Sequence, residues 1–331
     1  MREEAGSVVV VGSLNVDHVV TVERHPLPGE TVIARSLTFL PGGKGANQAV
    51  AAARRGAATT MIGLVGDDGD AEIATSLLAE SGVDIAGVGT VEGPTGLATV
   101  TVDAAGENTI VVVPGANGRM TADVVERSAS VIGGAAVVIL QGEIPADGIA
   151  RAAQLATGRL LLNLAPVIEL GPDVVRRADP LVVNEHEAAL VLGHLRPGQT
   201  VPETEAELVA GLQDAGVPSV VITLGARGAL VADGDDVHAV PSPRVVAVDS
   251  SGAGDAFVGA LGAALAAGST LLEAARQAVR VGAFTVQRAG TQASYPTLAD
   301  ELPSVSEGED SGAGSPDASR GAGTDSMAVP T

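Results

Sequence analysis

Short runs of consecutive apolar residues recur along the chain at Val8–Val11, Ala135–Leu140, Leu160–Leu164, Leu181–Val183 and Val220–Leu224. Each is too short for a confident helix and too continuous for a strand with one wet face, so each reads as a strand covered on both sides. Between them lie stretches of helical composition at Thr121–Ile132, Ala146–Ala156, Glu205–Ala215 and Leu271–Gln287. Strands alternating with helices predict an α/β fold, a doubly wound, mostly parallel sheet flanked by helices.

Two segments break that rhythm. His18–Leu40 and Gly96–Val113 place Val, Thr and Ile at alternating positions around turn signals at Pro26–Gly29 and Ala105–Asn108, so each predicts a β-hairpin. Together they imply a small antiparallel sheet outside the main one, a lid that closes over a substrate or a second subunit. After Pro303 the chain turns to Gly, Ser, Asp and Ala, too little apolar surface to offset the entropy of ordering. The expected organisation is one α/β domain over residues 1–302 and a disordered acidic tail over 303–331.

Composition narrows the function classes. Apolar residues make up 46% of the 331 positions but aromatic residues only 1%, so the core is aliphatic and base-stacking platforms are disfavoured. The formal charge of −21 repels phosphate backbones and anionic membranes, which argues against nucleic-acid and membrane partners. The absence of cysteine excludes disulfides, thiolate metal sites and a cysteine nucleophile. With no leader-like or membrane-length apolar run, a cytoplasmic location is expected.

In open parallel sheets ligands sit beyond the carboxyl ends of the strands. Polar or flexible residues stand there repeatedly: Asn15 and Asp17 after the first run, Glu143 after the second, Asn184 and Glu187 after Leu181–Val183, Gly225–Gly228 after Val220–Leu224. Taken singly, each could equally be a helix cap. The string Gly42-Gly43-Lys44-Gly45-Ala46-Asn47, ahead of a helical stretch over Gln48–Arg55, is not a P-loop, because Gly45 stands where that motif needs Ser or Thr. It offers close backbone approach and the amide of Asn47, or else a flexible turn. The string Asp249-Ser250-Ser251-Gly252-Ala253-Gly254-Asp255 leads into an apolar helix over Ala256–Ala267. Small residues at a helix start leave N–H groups open to an anion, and Asp255 beside them could accept a hydroxyl proton. The plain alternative is an acidic residue complementing the helix dipole.

In order and spacing, Gly42–Asn47 and Asp249–Asp255 resemble the two signatures of the ribokinase, or PfkB, family of carbohydrate kinases. Gly12-Ser13-Leu14-Asn15-Val16-Asp17-His18, Pro28-Gly29-Glu30-Thr31, Asn184-Glu185-His186-Glu187 and Thr223-Leu224-Gly225-Ala226-Arg227-Gly228 extend the match from about Val8 to Pro296. The resemblance implies ATP-dependent phosphorylation of a sugar's primary hydroxyl, with D-ribose the expected substrate and fructose, deoxyribose or a nucleoside the alternatives. A catalytically silent sugar-sensing protein is the reading from another class, and the intact Asp255 counts against it.

By the same resemblance Asp255 is the base, and Gly252, Ala253 and Gly254 form the anion hole. Asn15, Asp17, Gly43, Lys44, Gly45, Asn47 and Glu143 hold the sugar. Asn184, Thr223, Leu224, Gly225, Ala226, Arg227, Gly228, Gly254 and Val279 line the nucleotide, and Val279 departs from the His that relatives carry near the adenine. Glu187 handles water-bound Mg²⁺. Asp249, Ser251, Thr285, Arg288, Gly290 and Ser294 correspond to a K⁺ site, Arg288 only through its carbonyl. A homodimer joined through the lids is the implied assembly.

Overall fold

The computed structural model describes residues 6–305. In chain order the strands are β1 (Ser7–Val11), β2 (Asn15–Thr21), β3 (Ser36–Gly42), β4 (Ala58–Gly66), β5 (Asp84–Val91), β6 (Gly96–Val102), β7 (Asn108–Val113), β8 (Val137–Gln141), β9 (Arg159–Asn163), β10 (Leu181–Asn184), β11 (Ser219–Thr223), β12 (Ala229–Asp233) and β13 (Asp236–Val240). The helices are α1 (Lys44–Arg54), α2 (Asp70–Glu80), α3 (Ala122–Glu126), α4 (Ala129–Gly133), α5 (Ala146–Leu155), α6 (Pro172–Arg176), α7 (Glu185–Leu195), α8 (Glu205–Asp214), α9 (Ala253–Ala266) and α10 (Leu271–Thr285). None of them is long and apolar enough to cross a membrane.

Nine strands form the main sheet in the order β13-β12-β11-β10-β9-β8-β1-β4-β5. All pairs from β11 to β5 are parallel, and only β12 runs against the rest, antiparallel to both β11 and β13. Alternate side chains of the buried strands serve two cores. Val8, Val10, Ile139 and Leu161 pack with α1, α2, α9 and α10, while Val9, Val11, Leu140 and Leu162 pack with the helices from α3 to α8. Every apolar run read from the sequence therefore lies in a strand with helices on both faces, as the doubly wound expectation requires. From β1 the chain moves first towards β4 and β5, then returns to place β8 on the other flank of β1. That reversal opens a crevice between the loops after β1 and β8, where open sheets bind ligands.

The lid differs from expectation in one respect. Both hairpins form, β2 with β3 and β6 with β7, and both are antiparallel. They are joined through β2 and β6, which pair in parallel, so the four-stranded sheet is mixed rather than antiparallel. A parallel pair cannot be joined by a tight turn, and here the chain travels through β3, α1, β4, α2 and β5 between the two strands, long enough to allow it.

Three helix boundaries also move. Thr121–Ile132 is broken into α3 and α4; α1 starts at Lys44 rather than after Asn47; and α9 starts at Ala253 rather than Ala256. The expected tail lies outside the described residues apart from 303–305; Arg280 donates to the carbonyls of Pro303 and of Leu302 just before it.

Candidate active site

The loop after β1 and the start of α1 are built as one unit. Gly43 caps α1 at a φ of 86°, a left-handed conformation that favours glycine. A helix start leaves N–H groups without intrahelical partners. Here Lys44 N donates to Glu143 Oε2 at 3.0 Å, Gly45 N to Ser13 Oγ at 3.2 Å and Ala46 N to the Ser13 carbonyl at 2.9 Å. Ser13 Oγ in turn donates to Glu143 Oε2 at 2.5 Å. Glu143, expected to bind sugar, thus spends one carboxylate oxygen on anchoring α1 to the β1 loop.

Asn15 opens the lid strand β2. Its Oδ1 accepts from Asn117 Nδ2 at 2.7 Å, and Asn117 also ties down both the N–H and the carbonyl of Leu14. Asp17 stands two residues further, on the same face of β2. Its carboxyl is pushed up to about 6 by burial, then by the charges of Glu143 and Asp255. Lys44 is drawn upward mainly by the charge of Asp255, with Glu143 and Glu187 adding to it against burial. The single ammonium of this cluster is therefore held in its cationic form among acidic groups.

Asp255, 7% exposed, sits in the first turn of α9. Its Oδ2 accepts from Asn47 Nδ2 at 2.8 Å and its Oδ1 from Gln48 Nε2 at 2.9 Å. A carboxylate offers about four acceptor positions, so both oxygens keep capacity for another donor. Beside it, Gly252 adopts a φ of 71°, and its carbonyl receives the phenol of Tyr295 at 3.0 Å. A side chain on Gly252 would collide with Thr291 Cγ2 and come within 2.6 Å of the Tyr295 hydroxyl, whereas Gly254 faces open space. Ala253 N already donates to the Ser250 carbonyl at 3.3 Å, a long bond. The open approach is thus at Gly254, directly before the carboxylate.

The residues of the predicted K⁺ site lie before α9 and from the end of α10 onward. Asp249 accepts from Ser251 N and Gly290 N, both at 2.9 Å; despite desolvation these donors hold its carboxyl below the usual range. The segments 249–251 and 285–290 are thereby clamped together, with Val248 N and Asp249 N both donating to the Val286 carbonyl. Thr285 and Ser294 are buried. The Arg288 guanidinium packs on the Phe284 ring, 3.8 Å from its centroid; having no side-chain oxygen, this residue can offer a cation only its carbonyl.

At the end of β10, Asn184 and Glu187 form a reciprocal capping box: Glu187 N donates to Asn184 Oδ1 at 2.8 Å and Asn184 N to Glu187 Oε2 at 2.9 Å. Capping is thus one of their roles, and Glu187 Oε1 remains for another. After β11, Gly225–Arg227 form a 3-10 turn closed by Gly228 at a φ of 99°. The Arg227 guanidinium is held by Glu185 at 2.5 Å and Glu205 at 2.7 Å, so this loop brings backbone rather than a free cation to the crevice. Val279 is buried in α10 and His186 is exposed.

Sequence reasoning missed the amides around Asp255: Gln48, Gln141, Asn163 and Gln292, with exposures of 0%, 0%, 8% and 1%. A signal existed for two of them. Gln141 and Asn163 are the polar residues that end the apolar strands β8 and β9, and burying an amide is costly unless it is hydrogen-bonded.

Comparison with known proteins identifies the family to which this fold and sequence are similar. A model of the pfkB family of carbohydrate kinases matches residues 5–298. Ribokinase of Haemophilus influenzae is 34% identical over 301 residues, covering 89% of this chain and 97% of that protein. Deoxyribokinase of Salmonella typhi is 33% identical over 296 residues, with 88% and 96% covered. A bifunctional ribokinase/ribose-5-phosphate isomerase A of Fructilactobacillus sanfranciscensis is 38% identical over 88% of this chain, which spans 54% of that longer protein. Among solved structures, Arabidopsis thaliana ribokinase complexed with ribose and ATP superposes with a TM-score of 0.81 at 31% identity, over 88% of this chain and 96% of that one.

Proposed function

The chain belongs to the pfkB family of carbohydrate kinases, and on that footing we propose that it transfers the γ-phosphoryl group of ATP to the primary hydroxyl of D-ribose, giving D-ribose 5-phosphate and ADP. The observation that carries this reading is the Asp255 carboxylate, buried and held on both oxygens beside the open helix start at Gly254. In the proposed reaction Asp255 accepts the hydroxyl proton, the sugar oxygen bonds to the γ-phosphorus, and the bridging bond to the β-phosphate breaks to release ADP. Phosphoryl transfer asks mainly for positioning and charge stabilisation. The N–H groups at the start of α9 and the Lys44 ammonium are proposed to do that work.

Asn15, Asp17, Gly43, Gly45 and Asn47 are proposed to bind the sugar, together with Glu143 through its free oxygen. The nucleotide is proposed to lie along Thr223–Gly228, Asn184 and Val279. The donor chemistry fits two cations. One carboxylate, at Glu187, beside the place for phosphates suits Mg²⁺, which is commonly bound through one or two carboxylates with waters and phosphate oxygens; bound there, it would neutralise phosphate charge. Asp249 with the oxygens of Ser251, Thr285, Arg288, Gly290 and Ser294 is an all-oxygen set carrying one negative charge, suited to K⁺, which would fix the loops that flank α9.

A homodimer is proposed through the lid. The face of β2 that carries Asn15 and Asp17 continues across the strand pairing into Val19, Val100, Ile110 and Val112, and Ile110 and Val112 are 56% and 49% exposed. Deoxyribose is the second substrate reading, favoured by the Salmonella relative. Comparing kcat/KM for ribose, deoxyribose and fructose, with ATP, Mg²⁺ and with or without K⁺, tests these proposals. Ribose is expected to lead with K⁺ present; turnover of none of the sugars would refute the reading, and preference for deoxyribose would replace it.

A further inference from the structure

Two chains of buried amides converge on Asp255, and their direction is fixed by chemistry. A carboxylate only accepts, so the Gln48 atom facing Asp255 Oδ1 must be Nε2, which also donates to Asn163 Oδ1 at 2.9 Å. Gln48 Oε1 therefore faces the other way and accepts from Gln141 Nε2 at 2.7 Å. That orientation turns Gln141 Oε1 towards Gly12, where it is buried without a hydrogen-bond partner among the described residues. Gly12 is what makes room, since a side chain there would collide with that oxygen.

The second chain repeats the logic. Asn47 Nδ2 faces Asp255 Oδ2, Asn47 Oδ1 accepts from Gln292 Nε2 at 2.9 Å, and Gln292 Oε1 is likewise buried and unpartnered. Three buried side-chain atoms lack a partner among the described residues, and two of them are the far ends of these chains. Buried polar groups are normally satisfied. Two unpartnered ends traceable to one carboxylate mean that both chains are polarised outward from Asp255.

We propose that Gln141–Gln48 and Gln292–Asn47 are two positioning relays that present N–H donors to Asp255 on both oxygens, keeping its carboxylate an oriented acceptor for the hydroxyl proton; this rests on Asp255 being the base of a sugar kinase. Gln141 and Gln292 touch Asp255 only through a neighbour. They act by denying Gln48 and Asn47 the flipped orientation, which would point a carbonyl at the carboxylate.

The test uses the full chain with Gln141→Met and Gln292→Met, both of near-constant length. Each removes one buried unpartnered carbonyl and orphans another, Gln48 Oε1 or Asn47 Oδ1, so the two costs largely offset and little change in thermal midpoint is expected. The kcat is expected to fall roughly 5- to 50-fold, the range in which small misplacement of a reacting group is felt, with KM for sugar and ATP within about twofold. Side-chain amide NMR supplies a readout independent of turnover. Gln141→Met should shift and deprotect the Gln48 amide protons while sparing those of Asn47, and Gln292→Met should do the reverse.

An active enzyme whose kcat is unchanged by both variants overturns the relays. So does a Gln48 amide signal indifferent to Gln141→Met, or a loss of kcat that only tracks a lowered thermal midpoint. A wild-type chain that phosphorylates no sugar would instead sink the assignment of Asp255 as base, leaving the amide spectra to judge the relays alone.

Discussion

Replacing Asp17 by Asn should make the protein more stable at neutral pH and a poorer binder of sugar. The Asp17 carboxyl is raised from 3.8 to about 6, first by burial and then by Glu143 and Asp255. The folded state therefore binds this proton more tightly than the unfolded chain does. Stability is unaffected by this group well below pH 4, falls as pH rises from about 4 to 6, and stays reduced above that. A rise of about two pH units at about 1.36 kcal/mol each sets an upper bound near 3 kcal/mol, and partial exposure of the side chain brings the working range to about 1–3 kcal/mol.

Asn keeps the shape and cannot ionise. Thermal melts of wild type and Asp17→Asn should coincide near pH 4 and separate by about 2–6 °C at pH 8, the variant melting higher. Sugar KM should rise at the same time, because a carboxylate accepts stronger hydrogen bonds from hydroxyls than an amide does. Equal melting points at pH 8, or a variant less stable at both pH values, would refute the argument that Asp17 is held against its preference.

Three further outcomes follow from the site. Asp255→Asn should lower kcat by on the order of 100- to 10,000-fold with the fold intact by circular dichroism; near-normal turnover would make the residue structural. Gly252→Ala should destabilise the chain by about 1–3 kcal/mol, because it forces a side chain into a left-handed conformation and against Thr291 and Tyr295, and it should depress kcat as well; denaturant titration and steady-state rates check both. Ile110→Lys, on the exposed face of the lid, should shift a dimer towards monomer in light scattering without changing the thermal midpoint by more than a few degrees.

The architecture was legible where it is encoded locally. Apolar runs such as Val8–Val11 and Leu160–Leu164 mark strands buried on both faces, and alternation marks the lid hairpins. The pairing of β2 with β6 was not legible, because register between strands some 80 positions apart is set by packing rather than by any local pattern. β4 escaped notice because Thr59, Thr60 and Gly63 interrupt its apolar character; a mostly buried strand tolerates them when hydroxyls find carbonyls, as Thr59 does at Ala57. At the site, Asp255 and the glycines announce themselves by type and spacing. Gln48, Gln141 and Gln292 do not, since an amide's meaning lies wholly in its partners, and those lie 93 to 245 positions away along the chain.

The junction between β1 and β2 has a mechanical consequence. Three residues, Gly12 to Leu14, separate the deepest strand of the sheet from the strand that carries the lid, and this short bridge is pinned at Ser13 by Glu143 and at Leu14 by Asn117. Floor and roof of the cavity are thus one continuous ribbon with a stiff elbow. Were the four-stranded sheet to swing, the bend would have to come beyond Asn15, and Asp17 would travel with it, so widening the mouth would also withdraw a carboxylate from whatever it grips. Opening and letting go would then be a single motion.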